Sequence, residues 1–360
     1  MNRIHNFSAG PAVLPMPVLE EAQRDLIALP GVGMSILEIS HRSKPFDEII
    51  QGAEADIRAL AGIPDGYDVL FLQGGASLQF SMVPMNILLP DTTADYVVTG
   101  VWSQKAVKEA RRVGKVNIAA TTEDGNFTSV PAVGDLTLTD NASYVHVTSN
   151  NTIYGTQFRA LPDVGDCPLV NDASSDIFSQ PIDVAKHGLI YAGAQKNLGP
   201  SGVTLVIIRK DLLERSPASL PTMLNYKTHA ENQSLFNTPP VFGIYVLRLV
   251  LKWLRANGGL EAMAARNQRK AGLLYSEIDR TGFYRGHARL DSRSWMNVTF
   301  RLPNEELEKA FAKESTAAGL DGLKGHRSVG GLRASIYNAF PEEGVQALVD
   351  FMREFERRKG

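Results

Sequence analysis

The sequence predicts an α/β protein: a large domain with a mostly parallel seven-stranded sheet between helices, and a smaller C-terminal α+β domain. Between residues 67 and 208, seven short apolar stretches, several of them rich in β-branched residues, alternate with helical segments and polar turns. This alternation is typical of a parallel sheet that is covered on both faces. After residue 240 the chain becomes helical, and two strands then alternate with two helices. A chain of 360 residues favours one large domain and a smaller one.

The two domains are predicted to meet near residue 258. We expect residues 16–258 to form the large domain, and residues 1–15 and 259–360 to form the small domain with its N-terminal arm. Gly10-Pro11 makes the arm an extended segment. Asn257-Gly258-Gly259 ends a helix and therefore marks the boundary.

Composition and charge predict a cytoplasmic protein without nucleic-acid or membrane partners. The chain has 44% hydrophobic residues, 21% charged residues and a net charge of −2, so it has no general attraction to nucleic acid or anionic membrane. Cys167 is the single cysteine; it excludes an internal disulfide and a cysteine-based metal cluster, and it suits a reducing cytosol. The N-terminus lacks the apolar core of a signal peptide, and the apolar stretch 241–254 is too short to span a bilayer. No metal site is expected.

The first elements are two helices and the junction between them. One helix is predicted near residues 16–29, and a second follows Pro45, which suits the first turn of a helix. His41 and Arg42 stand just before this second helix, where polar side chains can face a cleft. The apolar stripe of the second helix is Ile49, Ala53, Ile57 and Leu60.

The strands of the sheet follow. Helices are expected after the first two strands, one through Met82 and Ile87 and one from Trp102 to about Val113. In such sheets, ligands bind beyond the carboxyl ends of the strands, which is where this chain has its polar turns. The seven predicted strands are residues 67–72, 95–100, 115–119, 144–148, 169–172, 189–192 and 203–208.

Beyond residue 240 the sequence predicts two helices and then a small α+β unit. The first helix carries Arg248, Lys252 and Arg255 on the face opposite its apolar residues, and Asn257-Gly258-Gly259 stops it. The second helix spans about 260–280. The α+β unit consists of a strand at 295–302, a helix at 305–318, a strand at 332–337 and a final amphipathic helix.

Lys196 is the first candidate for chemistry. It lies in an almost uncharged turn, Gly193 to Gly202, between two predicted strands. One interpretation is a surface lysine that keeps its amine in water. The alternative is an amine that is partly desolvated, so that its pKa falls and it can form a Schiff base.

Four further features lie at the ends of predicted strands. Gly74-Gly75-Ala76-Ser77 either forms an anion cradle at a helix N-terminus or is only a tight turn; it is neither G-x-G-x-x-G nor a Walker motif. Trp102 either stacks on a heteroaromatic ring or packs in the core. The turn 150–155 either hydrogen-bonds a ligand phenol or is an ordinary turn that its Asn and Thr side chains cap. Asp172, 24 residues before Lys196, either pairs with a pyridinium nitrogen or caps a helix.

Together these features predict a site for pyridoxal phosphate. The phosphate of this cofactor binds at a helix N-terminus, and its ring stacks on a flat side chain. Its phenolate oxygen accepts a hydroxyl hydrogen, its ring nitrogen pairs with a carboxylate, and its aldehyde bonds to a lysine. Each signal is weak alone, but five of them at successive strand ends favour one common ligand.

Nine motifs, distributed from end to end, carry a family resemblance. They are Phe7-Ser-Ala-Gly-Pro-Ala12, Ile39-Ser-His-Arg-Ser43, Gln73-Gly-Gly-Ala-Ser77, Trp102-Ser103, Ser149-Asn-Asn-Thr152, Asp172-Ala-Ser-Ser175, Ala194-Gln-Lys-Asn197, Asn237-Thr-Pro-Pro240 and Gly325-His-Arg-Ser-Val-Gly-Gly-Leu-Arg333. In these motifs the chain resembles the phosphoserine aminotransferases, which are class V pyridoxal-phosphate enzymes of fold-type I. Several of the motifs are specific to this subfamily.

The resemblance implies a role for each cofactor residue. Lys196 would hold pyridoxal 5'-phosphate covalently as the internal aldimine and then serve as the proton-transfer base. Asp172 would pair with the pyridinium nitrogen, Trp102 would stack on the ring, and Thr152 would donate to the phenolate oxygen. The cofactor phosphate would be held by Ala76, Ser77 and Gln195, and by Asn237 and Thr238 from the second subunit of a homodimer.

The resemblance also implies the substrates. These are 3-phosphohydroxypyruvate and L-glutamate, which give O-phospho-L-serine and 2-oxoglutarate in serine biosynthesis; 4-phosphohydroxythreonine, in pyridoxal phosphate biosynthesis, is left open as a second substrate. A carboxylate and a phosphate on one substrate require two anion clamps, to which arginine is suited. Arg333 is assigned to the α-carboxylate. The other residues that match the family's substrate positions are His41, Arg42, His326 and Arg327; of these, Arg42, His326 and Arg327 are assigned to the distal phosphate or the glutamate side chain.

Three rival interpretations are weighed against this one. A cysteine desulfurase needs a cysteine on a mobile loop, whereas Cys167 directly precedes Pro168 and a predicted strand. An alanine–glyoxylate or serine–pyruvate aminotransferase needs no phosphate clamp, and a non-catalytic pyridoxal-phosphate carrier has no use for substrate arginines.

The chain departs from the family pattern at one position that affects substrate binding. Ser77 stands where some family members have arginine. The resemblance therefore leaves open which of the remaining arginines binds which substrate anion.

Overall fold

The computed structural model describes residues 3–132 and 134–360 of the chain. Met1 and Asn2, which begin the predicted N-terminal arm, lie outside the described residues, as does Val133. The helices are α1 (Met16–Asp25), α2 (Lys44–Ala61), α3 (Gly75–Ile87), α4 (Val101–Ala110), α5 (Lys210–Leu213), α6 (Tyr226–Glu231), α7 (Val241–Ala256), α8 (Gly259–Ile278), α9 (Glu305–Ala317) and α10 (Glu342–Lys359).

The strands are short, and half of them belong to one central sheet. They are β1 (His5–Asn6), β2 (Tyr67–Leu72), β3 (Thr93–Val98), β4 (Lys115–Thr121), β5 (Tyr144–Thr148), β6 (Asn150–Asn151), β7 (Thr156–Gln157), β8 (Leu169–Asp172), β9 (Leu189–Gly193), β10 (Thr204–Arg209), β11 (Arg285–Gly286), β12 (Asn297–Arg301), β13 (Leu320–Asp321) and β14 (Leu332–Ser335).

The central sheet has seven strands in the order β2-β10-β9-β8-β5-β3-β4. The pairs from β9 to β4 are parallel, and β10 runs antiparallel to both β9 and β2. The predicted mostly parallel sheet of a fold-type I enzyme is therefore confirmed. β10 reverses direction because a short turn, without a crossover helix, joins it to β9.

The strand β3 ends two residues earlier than predicted, at Val98, because the following residues cap a helix. The side-chain oxygen of Ser103 accepts hydrogen bonds from the N–H groups of Thr99 at 3.0 Å and Gly100 at 3.1 Å. These two backbone N–H groups therefore belong to the N-terminal cap of α4. Trp102 consequently lies in the first turn of α4, at the carboxyl edge of the sheet.

Helices cover both faces of the sheet in a three-layer arrangement. Successive side chains of a strand point to opposite faces, so Phe71 packs with α1, α2 and α7, whereas Leu70 packs with α3 and α4. β10 shows the same alternation at Leu205 and Val206. Within the described part of the chain, no helix combines the length and apolar character that a membrane crossing requires.

The polar face predicted for α7 packs partly against α2. Arg248 donates to the backbone carbonyl oxygen of Glu48 at 2.6 Å, and Arg255 forms an ion pair with Asp56. Of the three basic residues on that face, Lys252 is exposed and makes no ion pair within the described residues. The helix therefore uses two arginines to dock on its neighbour.

The C-terminal part of the chain has its own apolar core. A three-stranded antiparallel sheet, β11-β12-β14, packs with α9, α10 and the second half of α8. The N-terminal arm joins this unit, since β1 pairs with β13 and Phe7 is fully buried in its core. α8 begins against the large core at Met263 and ends in the small one at Leu274. The domain boundary at residue 258 stays a prediction.

Candidate active site

Lys196 lies in the turn that joins β9 to β10. The N–H of Ala194 donates to the carbonyl oxygen of Val203 at 2.9 Å, and one helical turn follows, in which Leu198 donates back to Ala194 at 3.0 Å. This geometry holds Lys196 three residues beyond the carboxyl end of β9. Its Nζ donates to the side-chain oxygen of Thr152 at 2.7 Å.

Burial makes the amine of Lys196 unusually acidic for a lysine. Its pKa is lowered from 10.5 to about 8, mainly by desolvation. The negative charges of Asp172 and Asp176 oppose this shift, and the positive charge of Arg333 adds to it. A larger fraction of the amine is therefore neutral, and nucleophilic, at physiological pH than in an ordinary lysine.

Asp172 ends β8, the parallel neighbour of β9. The residue is 4% exposed, and its Oδ1 accepts a hydrogen bond from the N–H of Ser174 at 3.0 Å. Burial raises the pKa of Asp172, while the hydrogen bond from Ser174 and the charge of Lys196 act in the opposite direction. A buried carboxylate in this setting is suited to pairing with a cation.

The first turn of α3 faces the same space. Gly75, Ala76 and Ser77 line a cavity of about 340 Å³ together with Lys196. The N–H groups at the start of a helix have no intrahelical acceptor, and the helix dipole favours an anion there. The preceding Gly74 has φ 83°, and a Cβ there would lie 2.6 Å from Leu78, so the turn requires glycine.

Trp102 and Gln195 form two other parts of the cavity wall. The Nζ of Lys196 lies 6.0 Å from the centroid of the Trp102 ring. The indole Nε1 is buried and has no hydrogen-bond partner among the described residues. A flat aromatic surface beside a reactive amine is suited to holding a planar ligand.

Arg333 reaches the cavity from β14 in the C-terminal sheet. Its Nη1 donates to the backbone carbonyl oxygen of Thr152 at 3.3 Å, and burial lowers its pKa. His326 also lines the cavity. Burial lowers the pKa of His326, and the positive charges of Arg333, Arg327 and Lys105 lower it further. The mouth of the cavity is therefore strongly cationic.

The loop that carries His326 and Arg327 folds back on itself. Gly325 donates to the carbonyl oxygen of Gly331 at 2.9 Å, and Gly330 donates to that of His326 at 2.8 Å. A Cβ on Gly325 would clash with the carbonyl oxygen of Gly330, so only glycine fits. Arg327 is exposed at the tip and does not line the cavity.

Another group of predicted residues lies away from this cavity. Thr238 lines a separate surface groove with Leu37 and Ile39, which closely precede His41 and Arg42 in the chain. The two segments therefore share one patch of surface. With Arg327, the predicted residues outside the cavity lining are His41, Arg42, Asn237 and Thr238.

No site role was predicted for the N-terminal arm, yet Ala9 and Gly10 line the cavity. The N–H of Ala12 donates to the carbonyl oxygen of Gln195 at 2.8 Å, which ties the arm to the lysine turn. A Cβ on Gly10 would lie 3.4 Å from the Cγ of Lys196. Gly10-Pro11 signals an extended segment, but no local pattern shows where such a segment packs.

Thr148 is a second missed residue. It is the last residue of β5, it lines the cavity, and its side-chain oxygen is buried without a partner among the described residues. Its position at a strand end on the carboxyl edge is a signal that sequence reasoning could have used.

A larger cavity, of about 660 Å³, lies on the opposite face of the sheet. It is lined by Leu169 and Asn171 of β8, whose side chains point away from the face that carries Asp172. None of the residues predicted for the site line it. The chemistry-bearing side chains therefore gather in the smaller cavity.

The comparisons with known proteins agree with this geometry. A sequence model described as "Aminotransferase class-V" matches residues 4–348. The chain belongs to the class-V aminotransferases. A phosphoserine aminotransferase of Desulfatibacillum aliphaticivorans is 60% identical over 100% of this chain and 99% of its own length. The predicted resemblance to this family is confirmed.

Solved structures of phosphoserine aminotransferases superpose on this class-V chain. That from Bacillus circulans subsp. alkalophilus is 55% identical, has a TM-score of 0.98 and is matched over 99% of both chains. That from Trichomonas vaginalis, described as bound to PLP (pyridoxal phosphate), is 40% identical with a TM-score of 0.93, covering 98% of this chain and 100% of its own. The fold and the arrangement of elements are therefore those of the family.

The lowered pKa of Lys196 predicts how its reactivity depends on pH. In protein freed of pyridoxal phosphate, we expect acetylation of Lys196 by a low dose of acetic anhydride to reach half its maximal rate near pH 8. Quantitative mass spectrometry of a digest measures this rate. The exposed Lys309, quantified in the same digest, corrects for the reagent's own pH dependence. A rate for Lys196 that still rises above pH 10 would contradict the assignment.

Proposed function

We propose that this class-V aminotransferase transfers the amino group of L-glutamate to 3-phosphohydroxypyruvate, with pyridoxal phosphate as its cofactor. The products are 2-oxoglutarate and O-phospho-L-serine, the reaction of serine biosynthesis. One arrangement carries the proposal: Lys196, Asp172 and Trp102 surround a cavity whose mouth holds Arg333 and His326. The full-length relatives named phosphoserine aminotransferase support the choice of substrate.

The cavity fits pyridoxal phosphate. When bound, this cofactor supplies an aldehyde that bonds to primary amines and a ring that withdraws electrons from the substrate carbon. Two buried polar atoms of the wall, the Nε1 of Trp102 and the Oγ1 of Thr148, lack partners among the described residues and would gain them from a polar ligand. We assign the phosphate to the N–H groups of Ala76 and Ser77 and to Gln195.

Asp172, Trp102 and Thr152 are assigned to the ring. Asp172 offers a buried carboxylate to the ring nitrogen, and a charged pair there is stabilised by the low local dielectric. Trp102 offers a flat face. Thr152 holds the Nζ of Lys196 at 2.7 Å and donates its own hydroxyl hydrogen to the phenolate oxygen.

Lys196 is assigned two successive tasks, attachment of the cofactor and proton transfer. Once a substrate amine had displaced it, its Nζ would lie beside Thr152, where it would take a proton from the α-carbon of the substrate and deliver it to the former aldehyde carbon of the cofactor, across the intervening nitrogen. A pKa near 8 suits both directions of transfer near neutral pH, because the group is then neither a strong acid nor a strong base.

Three side chains, those of Arg333, His326 and Arg327, are assigned to the substrate anions. Arg333, half-buried with its Nε unpartnered in the described chain, is oriented to bind the α-carboxylate. His326 and Arg327 lie at the mouth, where they are suited to the distal phosphate or the side-chain carboxylate of glutamate. Substrates with anions at both ends would therefore reach from Arg333 to His326 and Arg327.

We further propose that two copies of the chain share each active site. Asn237, Thr238, His41 and Arg42 lie outside the lining of their own cavity, and Thr238 shares a surface groove with Leu37 and Ile39, which closely precede His41 and Arg42 in the chain. The exposed apolar side chains Leu37 and Phe236, 61% and 45% exposed, lie next to them in the chain. Apolar surface of this kind is typical of a subunit interface. In a dimer with two-fold symmetry, the patch would complete the partner's cavity, with Asn237 and Thr238 on the cofactor phosphate and Arg42 on the substrate.

The rival activities lack support in the site. Cys167 is a candidate for neither desulfurase chemistry nor metal binding here: it lines the larger cavity, its thiol contacts the carbonyl oxygen of Ala142 at 3.3 Å, and burial raises its pKa. A carrier without catalysis would have no need of Arg333. A free thiol fits a reducing compartment, and we propose that the enzyme works in the cytoplasm.

The proposed reaction predicts a simple assay. We expect 3-phosphohydroxypyruvate and glutamate to give 2-oxoglutarate, measured with a coupled dehydrogenase, and we expect Lys196→Ala to lower kcat by at least about a thousandfold because the nucleophile is lost. The melting temperature of the variant controls for folding. Turnover by Lys196→Ala close to that of the wild type would rule out the mechanism.

The proposed phosphate clamp predicts a split between substrates. Arg327→Ala should raise the KM for 3-phosphohydroxypyruvate by about tenfold or more, since a charge-assisted hydrogen bond is lost. The KM for unphosphorylated hydroxypyruvate should change little. Arg111→Ala, which removes an exposed arginine beyond α4, is the matched control. Equal losses for the two substrates would contradict the assignment of Arg327.

Sharing of the site predicts complementation between inactive variants. Lys196→Ala and Arg42→Ala, unfolded and refolded together, should recover about a quarter of wild-type activity, because half of the dimers are mixed and each has one intact site. Lys196→Ala refolded with Arg333→Ala is the control. Those two residues line the same cavity of one chain, so no mixed dimer has an intact site. Activity no higher than the mean of the parents in the first mixture would contradict a shared site.

A further inference from the structure

Hydrogen bonds between buried side chains join the wall of the cavity to the C-terminal unit. The Nδ2 of Asn150, which lines the cavity, donates to the Oδ1 of Asn297 on β12 at 2.8 Å. The Nδ2 of Asn297 donates to the hydroxyl oxygens of Ser335 at 2.9 Å and Tyr337 at 3.1 Å. Tyr337 in turn donates to the carbonyl oxygen of Ala9 at 2.7 Å. Asn297 therefore connects the cavity wall with β14 and with the N-terminal arm.

The orientation of the Asn297 amide is fixed by its neighbours. Ser294 accepts from two backbone N–H groups, so its hydroxyl donates to the Oδ1 of Asn150 at 2.5 Å, and Asn150 faces Asn297 with an N–H. Because the hydroxyl hydrogen of Tyr337 serves Ala9, Tyr337 accepts from Asn297. A rotated amide would bring two N–H groups together and leave the Tyr337 bond unmade. A buried network that is satisfied in this way holds its members rigidly.

We propose that Asn297 is a positioning residue that holds Arg333 where the α-carboxylate of the substrate binds. Asn297 is 0% exposed and does not line the cavity, so it would touch neither cofactor nor substrate and would act through its neighbours. The inference rests on the proposed function, because it takes Arg333 as the clamp for the α-carboxylate.

The position of Arg333 depends on β14, the strand that Asn297 holds. Arg333 and Ser335 are two residues apart on this strand, so their side chains lie on the same face. Ser335 lies opposite Asn297 in the register of β12 and β14. Arg333 itself reaches the cavity wall through a long hydrogen bond, 3.3 Å, to the carbonyl oxygen of Thr152. The shorter bond between Asn297 and Asn150 is therefore the firmer of these two connections.

Two further hydrogen bonds dock the same part of the C-terminal unit on the turn 150–155. Thr299 donates to the carbonyl oxygen of Tyr154 at 2.8 Å, and the N–H of Ser294 donates to that of Gly155 at 2.9 Å. Asn297 differs because its side chain bonds both to the cavity wall and to β14. Its loss should therefore displace Arg333 without detaching the unit.

The test measures the half-reaction of the full-length holoenzyme with L-glutamate, followed by the change in cofactor absorbance. Asn297→Ala should raise the half-saturating glutamate concentration about tenfold, because Arg333 is no longer held in place. The limiting rate should change less than about threefold, since the central sheet still holds Asp172 and Lys196. The cofactor spectrum before glutamate is added should match that of the wild type. An unchanged half-saturating concentration would overturn the inference.

A double-mutant cycle separates positioning from a general structural role. In the Arg333→Ala background, Asn297→Ala should lower kcat/KM for glutamate by less than about threefold, because the group that it positions is already absent. The value is taken from the initial slope, so saturation is not needed. A larger drop in that background would show that Asn297 acts independently of Arg333 and would overturn the inference.

Asn338→Ala is the matched control. Asn338 is another buried asparagine of the C-terminal unit, and its Nδ2 donates to the carbonyl oxygen of Phe178, outside that unit, at 2.9 Å. Its Oδ1 accepts from Asn267 on α8 at 2.8 Å rather than from the cavity wall. The half-saturating glutamate concentration of this variant should equal that of the wild type. A rise as large as that of Asn297→Ala would contradict a specific role for Asn297.

Ser335→Ala keeps the inference testable if Asn297→Ala does not fold. It removes only the hydroxyl through which Asn297 holds β14. The same rise in half-saturating concentration and the same result in the Arg333→Ala background are expected, and their absence would overturn the inference. Failure of the wild-type holoenzyme to react with glutamate would instead overturn the proposed function.

Discussion

The parallel pairing of β8 with β9 is the constraint on which the site depends. The register Val170 with Leu189 and Asp172 with Tyr191 brings the two strands to the same edge of the sheet. The short turn after β9 then returns antiparallel as β10, so Lys196 stays at that edge instead of being carried away by a crossover helix. The backbone hydrogen bonds of these strands thereby place a carboxylate and an amine at one cavity.

The pKa shifts at this edge of the sheet arise because charged side chains are desolvated there. Desolvation lowers the pKa of Lys196 and raises that of Asp172, so each group is displaced toward neutrality. The mutual attraction of the two charges opposes both shifts. Arg333, whose own pKa is lowered by burial, adds a third charge to the same space. Such a cluster is costly without a ligand, and an anionic, planar ligand with a ring cation would relieve each of its parts.

Much of this arrangement could be predicted from the chain. The spacing from Asp172 to Lys196 leaves room for one strand and its connection, and that strand is β9. The glycines before Ala76 indicate a helix N-terminus at a strand end, and α3 begins there. These predictions succeed because strand ends and turns have local signatures, and a parallel sheet brings such ends to one edge.

The remaining features depend on contacts between distant segments. Nothing in the composition of residues 1–15 says that Gly10 packs on Lys196, since that contact is set by the pairing of β1 with β13 far along the chain. Nor does a periodic pattern reveal which of several buried tyrosines lies beside Asp172. The predicted end of β3 is wrong for a similar reason. Thr99 and Gly100 follow strand-like residues, but their N–H groups donate to the hydroxyl oxygen of Ser103 and cap a helix.

Lys270 shows why burial by itself does not identify a catalytic lysine. It is more deeply buried than Lys196, and burial lowers its pKa well below the ordinary value. Its Nζ, however, donates to three backbone carbonyl oxygens, those of Ile336, Tyr337 and Phe340, which use all the hydrogens of an ammonium group. Lys196 has one side-chain acceptor and faces a cavity. The same residue type therefore fastens the C-terminal unit in one place and is free to react in the other, because Lys196 has fewer fixed acceptors and faces a cavity.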